Sequence, residues 1–244
     1  MKKRPLVKTS VKDEALVKKR RYQIYKAALR AFTKNGFHET NLRQVTQLAG
    51  LAYGSIYDYV ESKNDILFLI YDSVLDELRT RLEAAARSTD EPIEQIKAMI
   101  KAAMDHTDEY QDAIVLLYQE SRVMKDSGFL AEVFEKERGY IRLFADVLER
   151  GVQCGVFRVP NIRVIENLLP IMCSAWALKR WNLKGVTKES YGEALVQFVL
   201  RGIGVLPGVD GREQKKTRRA ALRGARNGKG KTSRRQVPTT SLSL

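Results

Sequence analysis

The chain has 244 residues, 44 % of them hydrophobic, which is enough for one large or two modest domains with a real core. The formal net charge of +14 sits at the ends: residues 2–21 carry nine Lys/Arg and two acids, residues 207–244 carry eleven and two, and the stretch between is left at −2. Basic ends on a near-neutral body point to a polyanion, most simply nucleic acid, and the lack of an apolar run of about 18 residues argues against a membrane span.

Residues 1–17 read as a disordered basic arm, with Lys2, Lys3, Arg4 and Lys8 exposed. A helix is expected from near Glu14 to Lys34, since Ile24, Ala27, Ala28, Ala31 and Phe32 repeat at helical spacing. Lys18, Lys19, Arg20 and Arg21 lie near its start, where the helix dipole disfavours cations. That mismatch favours an anion supplied from outside, such as a DNA phosphate. Asn35-Gly36 offer a left-handed stop.

Two short helical patterns then meet at Ala49-Gly50-Leu51. Thr40 is placed to cap the first, with Leu42, Val45 and Leu48 on one face, and Gly50 suits a turn with positive φ. The second places Ile56 and Val60 inward and Ala52-Tyr53-Gly54-Ser55 outward. Helix, glycine turn and helix make a helix-turn-helix pattern, whose second helix would enter the DNA major groove while the first crosses the backbone. Gly54 lets the backbone lie close to DNA, and Ser55 offers a hydroxyl to a base edge or phosphate. Tyr57 and Tyr59 put phenols on the outer side, and Lys63 adds a charge at the next helix start. An ordinary helical hairpin with its tyrosines in a core is the competing reading.

A long helix is expected over 64–87, with a stripe of Leu67, Ile70, Tyr71, Val74, Leu75, Leu78 and Leu82. It would reach roughly 36 Å and link the reading unit to the C-terminal helices. Pro92 restarts a helix running to about His106, with Met99, Ile100, Ala103 and Met104 on its apolar face. Others are expected over 109–125, 129–152, 162–183 and 188–204; Pro170 should kink the one over 162–183. The apolar stripes of 162–183 and 188–204 are wide for one subunit and suit a four-helix dimer interface. From Pro207 the pattern is lost and a flexible basic tail is expected, adding non-specific DNA affinity. The domains therefore read as a basic arm over 1–17, a helix-turn-helix domain over 18–63, a helical effector-binding and dimerisation domain over 64–206, and a basic tail over 207–244.

Cys154 and Cys173 lack ligand spacing and read as small buried residues in a reducing cytoplasm. His38 and His106 are isolated, so no metal site is expected. With no nucleophile elbow, P-loop or dinucleotide fingerprint, neither an enzyme nor a bound cofactor is expected.

Residues 20–70 resemble the N-terminal domain of the TetR/AcrR family of bacterial transcriptional regulators. The resemblance rests on Ile24, Ala28, Phe32, Gly36, Phe37, Thr40, Val45, Ala49-Gly50-Leu51, Gly54, Ser55, Ile56-Tyr57, Tyr59, Ser62-Lys63 and Leu67. Beyond residue 70 only helix number and length are similar. The resemblance implies an all-α homodimer with nine helices per subunit, a palindromic operator, and a small molecule in the C-terminal domain that releases the DNA. It implies phosphate contacts for Thr40, Tyr57, Tyr59 and Lys63, and places Arg43, Gln44, Tyr53, Gly54 and Ser55 at or near base edges. The chain departs from the family at Thr46, Ala52, Tyr53 and Val60; losing a hydroxyl at Ala52 puts a phosphate contact there in question, and Tyr53 offers a ring to a thymine methyl instead.

Polar or aromatic residues on apolar helices are the effector candidates: Met104, Tyr118, Gln119, Arg122, Phe144, Met172 and Trp176. Leu117-Tyr118-Gln119-Glu120-Ser121-Arg122 is similar to part of the fatty-acyl-CoA-responsive members. A long apolar cavity with an Arg at its mouth would suit an acyl-CoA, and one without that charge a drug-like or aromatic effector. The function expected is thus a dimeric DNA-binding regulator, a repressor released by its effector. A nucleoid-type, sequence-nonspecific DNA binder is the alternative; it would account for the charged ends but not for the large middle body.

Overall fold

The computed structural model describes residues 7–126 and 129–204. The basic tail expected over 207–244 lies outside the described residues, as do residues 1–6. The chain forms α1 (Glu14–Asn35), α2 (Leu42–Leu48), a 3-10 turn (Tyr53–Asp58), α3 (Lys63–Arg87), α4 (Pro92–Glu109), α5 (Gln111–Gln119), α6 (Ser121–Asp126), α7 (Leu130–Gln153), α8 (Ile162–Leu178) and α9 (Lys188–Gly202). Among the described residues there is no strand.

Most helix starts have a local cause. Asp13 accepts from the Leu16 amide, and Ser62 with Asp65 forms a reciprocal capping box at α3. The cap of α2 is Asn41 rather than Thr40: Asn41 Oδ1 accepts from the Gln44 amide at 3.0 Å, and Gln44 Oε1 accepts from the Asn41 amide at 2.8 Å. Thr40 is only 1 % exposed, and its hydroxyl donates to the Gly36 carbonyl at 2.8 Å. After Gly36, at φ 86, the chain folds back on α1, which buries residue 40 and moves the cap one place on. Gly50, at φ 66, makes the turn after α2.

The expected arm is fastened from Val7 onward. Val7 is buried, Arg21 donates to the carbonyls of Val7 (2.6 Å), Lys8 (3.0 Å) and Tyr59 (3.1 Å), and the Thr9 hydroxyl donates to the Asp58 carbonyl. Lys8 itself is exposed. The second element of the helix-turn-helix is six residues of 3-10 geometry, where the Ser55 amide and hydroxyl both turn back to the Ala52 carbonyl. The helix expected over 109–125 divides at Glu120, where the backbone leaves helical geometry with no Gly or Pro to announce it. The helix expected over 162–183 runs unbroken through Pro170 and stops at Leu178, with tight turns on to Leu183.

There are two cores. One joins α1, α2 and the 3-10 turn to Ile66–Leu75 of α3 and to α5. The other is built from Leu82 of α3 and from α4, α7, α8 and α9. Helix α3 enters both, as do α7 through Val133 and α8 through Ala177, but α3 is the one that starts at the N-terminal unit, so it is the spine between that unit and the rest.

Packing is tight at the end of α7. The amides of Val156 and Phe157 both donate to the Gly151 carbonyl, folding the buried Phe157 ring over the helix. A Cβ at Gly151 would lie 2.0 Å from Phe157 Cδ2. Gly151→Ala should therefore cost about 1–3 kcal/mol through overpacking and lower the melting temperature by several degrees; a melt superimposable on wild type would contradict this packing.

Candidate nucleic-acid interface and effector cavity

The outward face of the helix-turn-helix carries Tyr53 and Tyr57, 51 % and 47 % exposed. Their rings meet edge-on and their hydroxyls lie 3.1 Å apart, a hydrogen bond that raises the Tyr57 pKa. Gly54 lies between them with open space around it. Arg43 and Gln44 are exposed on the first turn of α2, and Arg43 makes no ion pair among the described residues. The Gln44 amide oxygen is committed to the cap, leaving its NH2 for other partners. Ser55 is half-buried, with its hydroxyl on the Ala52 carbonyl. Lys18 and Lys19 are exposed at the start of α1.

Three expected phosphate contacts point elsewhere. Thr40 is buried under the turn after α1. Tyr59 is 7 % exposed, packed in the N-terminal core. Lys63 Nζ donates to three carbonyls, of Phe37 (2.7 Å), His38 (2.9 Å) and Thr40 (2.9 Å), which uses all three of its protons. Desolvation lowers the Lys63 pKa, against the pull of Glu120 and Glu39. Leu48, expected inward, is 59 % exposed.

A cavity of about 300 Å³ lies among α3, α4, α5, α6, α7 and α8. Of the expected effector residues, Tyr118 and Phe144 line it. Gln119 and Arg122 are exposed and sit one residue beyond the lining Tyr118 and Ser121, but neither lines the cavity. Arg122 makes no ion pair among the described residues. The other three are placed elsewhere. Met104 borders a separate groove between α4 and α9. The Met172 carbonyl accepts from the Tyr191 hydroxyl at 2.7 Å, and Trp176 is buried with Nε1 donating to Asp108 Oδ1 at 2.8 Å. These two are structural partners, not cavity wall.

Apart from Tyr118, the cavity's polar lining is absent from the expected effector residues. Tyr71 donates to Glu137 Oε1 at 2.5 Å, and burial raises the Tyr71 pKa far above its ordinary value. Tyr118 and Ser174 also line the cavity, each with a hydroxyl. His106 is buried, stacked on Tyr110, with Nε2 at 3.0 Å from the Val74 carbonyl and no partner on Nδ1. The sequence does hold one signal: Glu137 shares a face of α7 with Val133, Tyr140 and Phe144, and an acid there is out of place unless it faces something polar.

Two further features bear on function. His38, in the turn after α1, lies 3.1 Å from Glu120, at the joint between α5 and α6. On α8, Val164, Leu168 and Ile171 form an exposed apolar stripe, with Phe198 of α9 and Trp181 exposed as well. No described helix is long and apolar enough to cross a membrane. Among the described residues no group of His, Cys, Asp and Glu is placed to hold a metal ion.

Comparison with known proteins agrees at both ends of the described chain. Residues 24–70 match the family of bacterial regulatory proteins, tetR family, and residues 89–203 match a tetracyclin repressor-like C-terminal domain. The chain is 29 % identical to the HTH-type transcriptional regulator HbdR of Aromatoleum sp. (strain CIB) over 176 residues, 72 % of this chain and 76 % of that one. It is 24 % identical to the HTH-type transcriptional repressor KstR2 of Mycobacterium tuberculosis over 189 residues, 77 % of this chain and 94 % of that one. The fold is shared with AibR in complex with isovaleryl coenzyme A and operator DNA, with a TM-score of 0.64 at 16 % identity over 73 % of this chain and 97 % of that one.

His106 makes the cavity wall sensitive to acid. Burial pushes its pKa down to about 4, with the Val74 hydrogen bond pulling the other way. The unfolded chain binds a proton near pH 6.5 that the folded chain refuses, so stability falls as pH drops from 6.5 to about 4 and is level on either side. The loss should approach about 3 kcal/mol. Urea unfolding at pH 7, 5.5 and 4.5 should show that slope in wild type and a shallower one in His106→Phe; equal slopes would refute the assignment.

Proposed function

The chain belongs to the TetR family of bacterial regulatory proteins, and we propose that it is a cytoplasmic repressor released from a palindromic operator by an acyl-CoA thioester. As a TetR-family regulator it binds DNA as a dimer. The observation that carries the proposed mechanism is the double membership of α3. Its first residue, Lys63, clamps the turn that positions the reading unit, while Tyr71, Val74, Leu75, Leu78 and Leu82 of the same helix wall the cavity. An effector that fits the cavity better with α3 displaced shifts the dimer away from the spacing DNA requires, about 34–36 Å between reading elements or a multiple of it.

In this reading Tyr53, Gly54, Ser55, Arg43 and Gln44 face base edges, and Tyr57, Lys18 and Lys19 face phosphates. Thr40, Tyr59 and Lys63 act by holding that surface in place. The division falls at Ser62, with the reading domain before it and the effector and dimerisation domain from α3 onward. The cavity has room for an acyl group, and the exposed Arg122, next in sequence to the lining Ser121, is a cation that suits the phosphates of coenzyme A. The shared fold with AibR, solved with isovaleryl coenzyme A, supports the same class of effector. The exposed apolar faces of α8 and α9 supply the surface for pairing. A sequence-indifferent DNA-coating protein would have no use for either the cavity or that face.

Operator fragments selected from genomic DNA provide the test. Lys18→Ala and Lys19→Ala should each flatten the dependence of log affinity on log salt by about 0.9, as expected for one lost phosphate contact. Lys63→Ala should weaken binding with little change in that slope. Tyr53→Ala should change sequence preference; a uniform loss on every sequence would remove it from base reading. Acyl thioesters should displace the operator where free coenzyme A does not, and an operator affinity unmoved by every thioester at saturation would end the acyl-CoA reading.

A further inference from the structure

We propose that the cavity selects acyl groups carrying a hydrogen-bond donor, a hydroxyl above all, and rejects anionic ones, with Glu137 as the residue that decides. This rests on the effector reading above and narrows it. Among the described residues that line the cavity, Glu137 is the one carboxylate, and no Lys or Arg accompanies it. Its Oε1 receives the Tyr71 hydroxyl. A carboxylate has about four acceptor positions, so the group retains capacity for a second donor.

His106 lines the cavity but offers a ligand no nitrogen. A carbonyl only accepts, so the hydrogen bond to Val74 places the imidazole proton on Nε2. Nδ1 is then a bare acceptor, buried and without a partner. An acceptor position left open beside an apolar chain is costly. A saturated acyl chain leaves that position on Glu137 unmet, and a hydroxyl supplies the proton it can take. A terminal carboxylate on the acyl group would instead meet Glu137 with no cation between them, and like charges in a poorly solvated site repel strongly. Tyr118 and Ser174 also carry hydroxyls on this wall, but neither brings a charge to it.

The experiment compares octanoyl-CoA with its 3-hydroxy and 8-hydroxy forms and with octanedioyl-CoA, reading release of fluorescent operator from the full-length dimer. In wild type at least one hydroxylated form should act at a concentration about tenfold below octanoyl-CoA, and octanedioyl-CoA should be the weakest. Glu137→Leu should erase the hydroxyl preference and leave octanoyl-CoA as effective as before or more so, while Glu137→Gln should restore activity to octanedioyl-CoA. Cooperative thermal unfolding with wild-type helix content, measured without effector, serves as the folding control for both variants. A preference that survives in Glu137→Leu, or the absence of one in wild type, overturns the proposal. Uncharged probes separate it from the thioester reading: 4-ethylphenol should raise the melting temperature more than ethylbenzene, and Glu137→Leu should remove the difference. Thioesters that act without regard to a hydroxyl leave the acyl-CoA reading standing and this proposal refuted. Inert thioesters with a retained phenol preference refute the acyl-CoA reading and support this proposal.

Discussion

A single ammonium group holds the reading unit in its posture. The turn after α1 exposes three carbonyls, of Phe37, His38 and Thr40, and Lys63 Nζ supplies one proton to each. The same nitrogen lies 4.6 Å over the Phe37 ring. Partial burial opposes the charge, and Glu120 and Glu39 offset that opposition. Removing the ammonium would leave three acceptors without a protein donor, a larger loss than one missing surface charge. Since Lys63 is also the first residue of α3, fixed by the Ser62–Asp65 capping box, the direction of α3 and the position of α2 are set together.

The cavity lies where this matters. Helix α3 enters the N-terminal core with Ile66–Leu75 and the C-terminal core with Leu82, and the cavity-lining residues fall between and across these limits. The His38–Glu120 contact makes a second tie between the two parts, from the turn that Lys63 clamps to the joint that breaks α5 from α6. Tyr118 and Ser121, on either side of Glu120, both line the cavity. Interiors packed this closely pass strain on rather than absorb it.

The helices are legible in the sequence because their apolar stripes repeat at helical spacing, as in α3, and the turn at Gly50 because few residues tolerate a positive φ. The direction of individual side chains is less so. An α-helical reading of residues 53–58 puts Tyr59 outside, whereas three residues per turn bring it round to the side of the buried Ile56. Thr40 is one residue from the true cap, and sequence alone does not distinguish Thr40 from Asn41. Lys63 is recognisable as a cation at a helix start, but its carbonyl partners lie 23 to 26 residues earlier and are set by tertiary folding. The cavity chemistry is hidden for the same reason: Tyr71, His106 and Glu137 come from three helices. Trp176 and Met172 read as effector contacts because large or soft side chains suit pockets, yet they serve packing against Asp108 and Tyr191.

Ile171 has two addresses. It lies at the mouth of the cavity, and it ends the apolar stripe of Val164 and Leu168 that a second subunit would cover. Occupancy of the cavity and association of subunits then draw on a shared surface, and their free energies are linked in both directions by the same coupling. The effector's apparent affinity becomes a function of how much protein is present, because mass action sets the fraction of paired chains. A cell holding few copies and one holding many would read the same effector concentration differently, with no change in sequence.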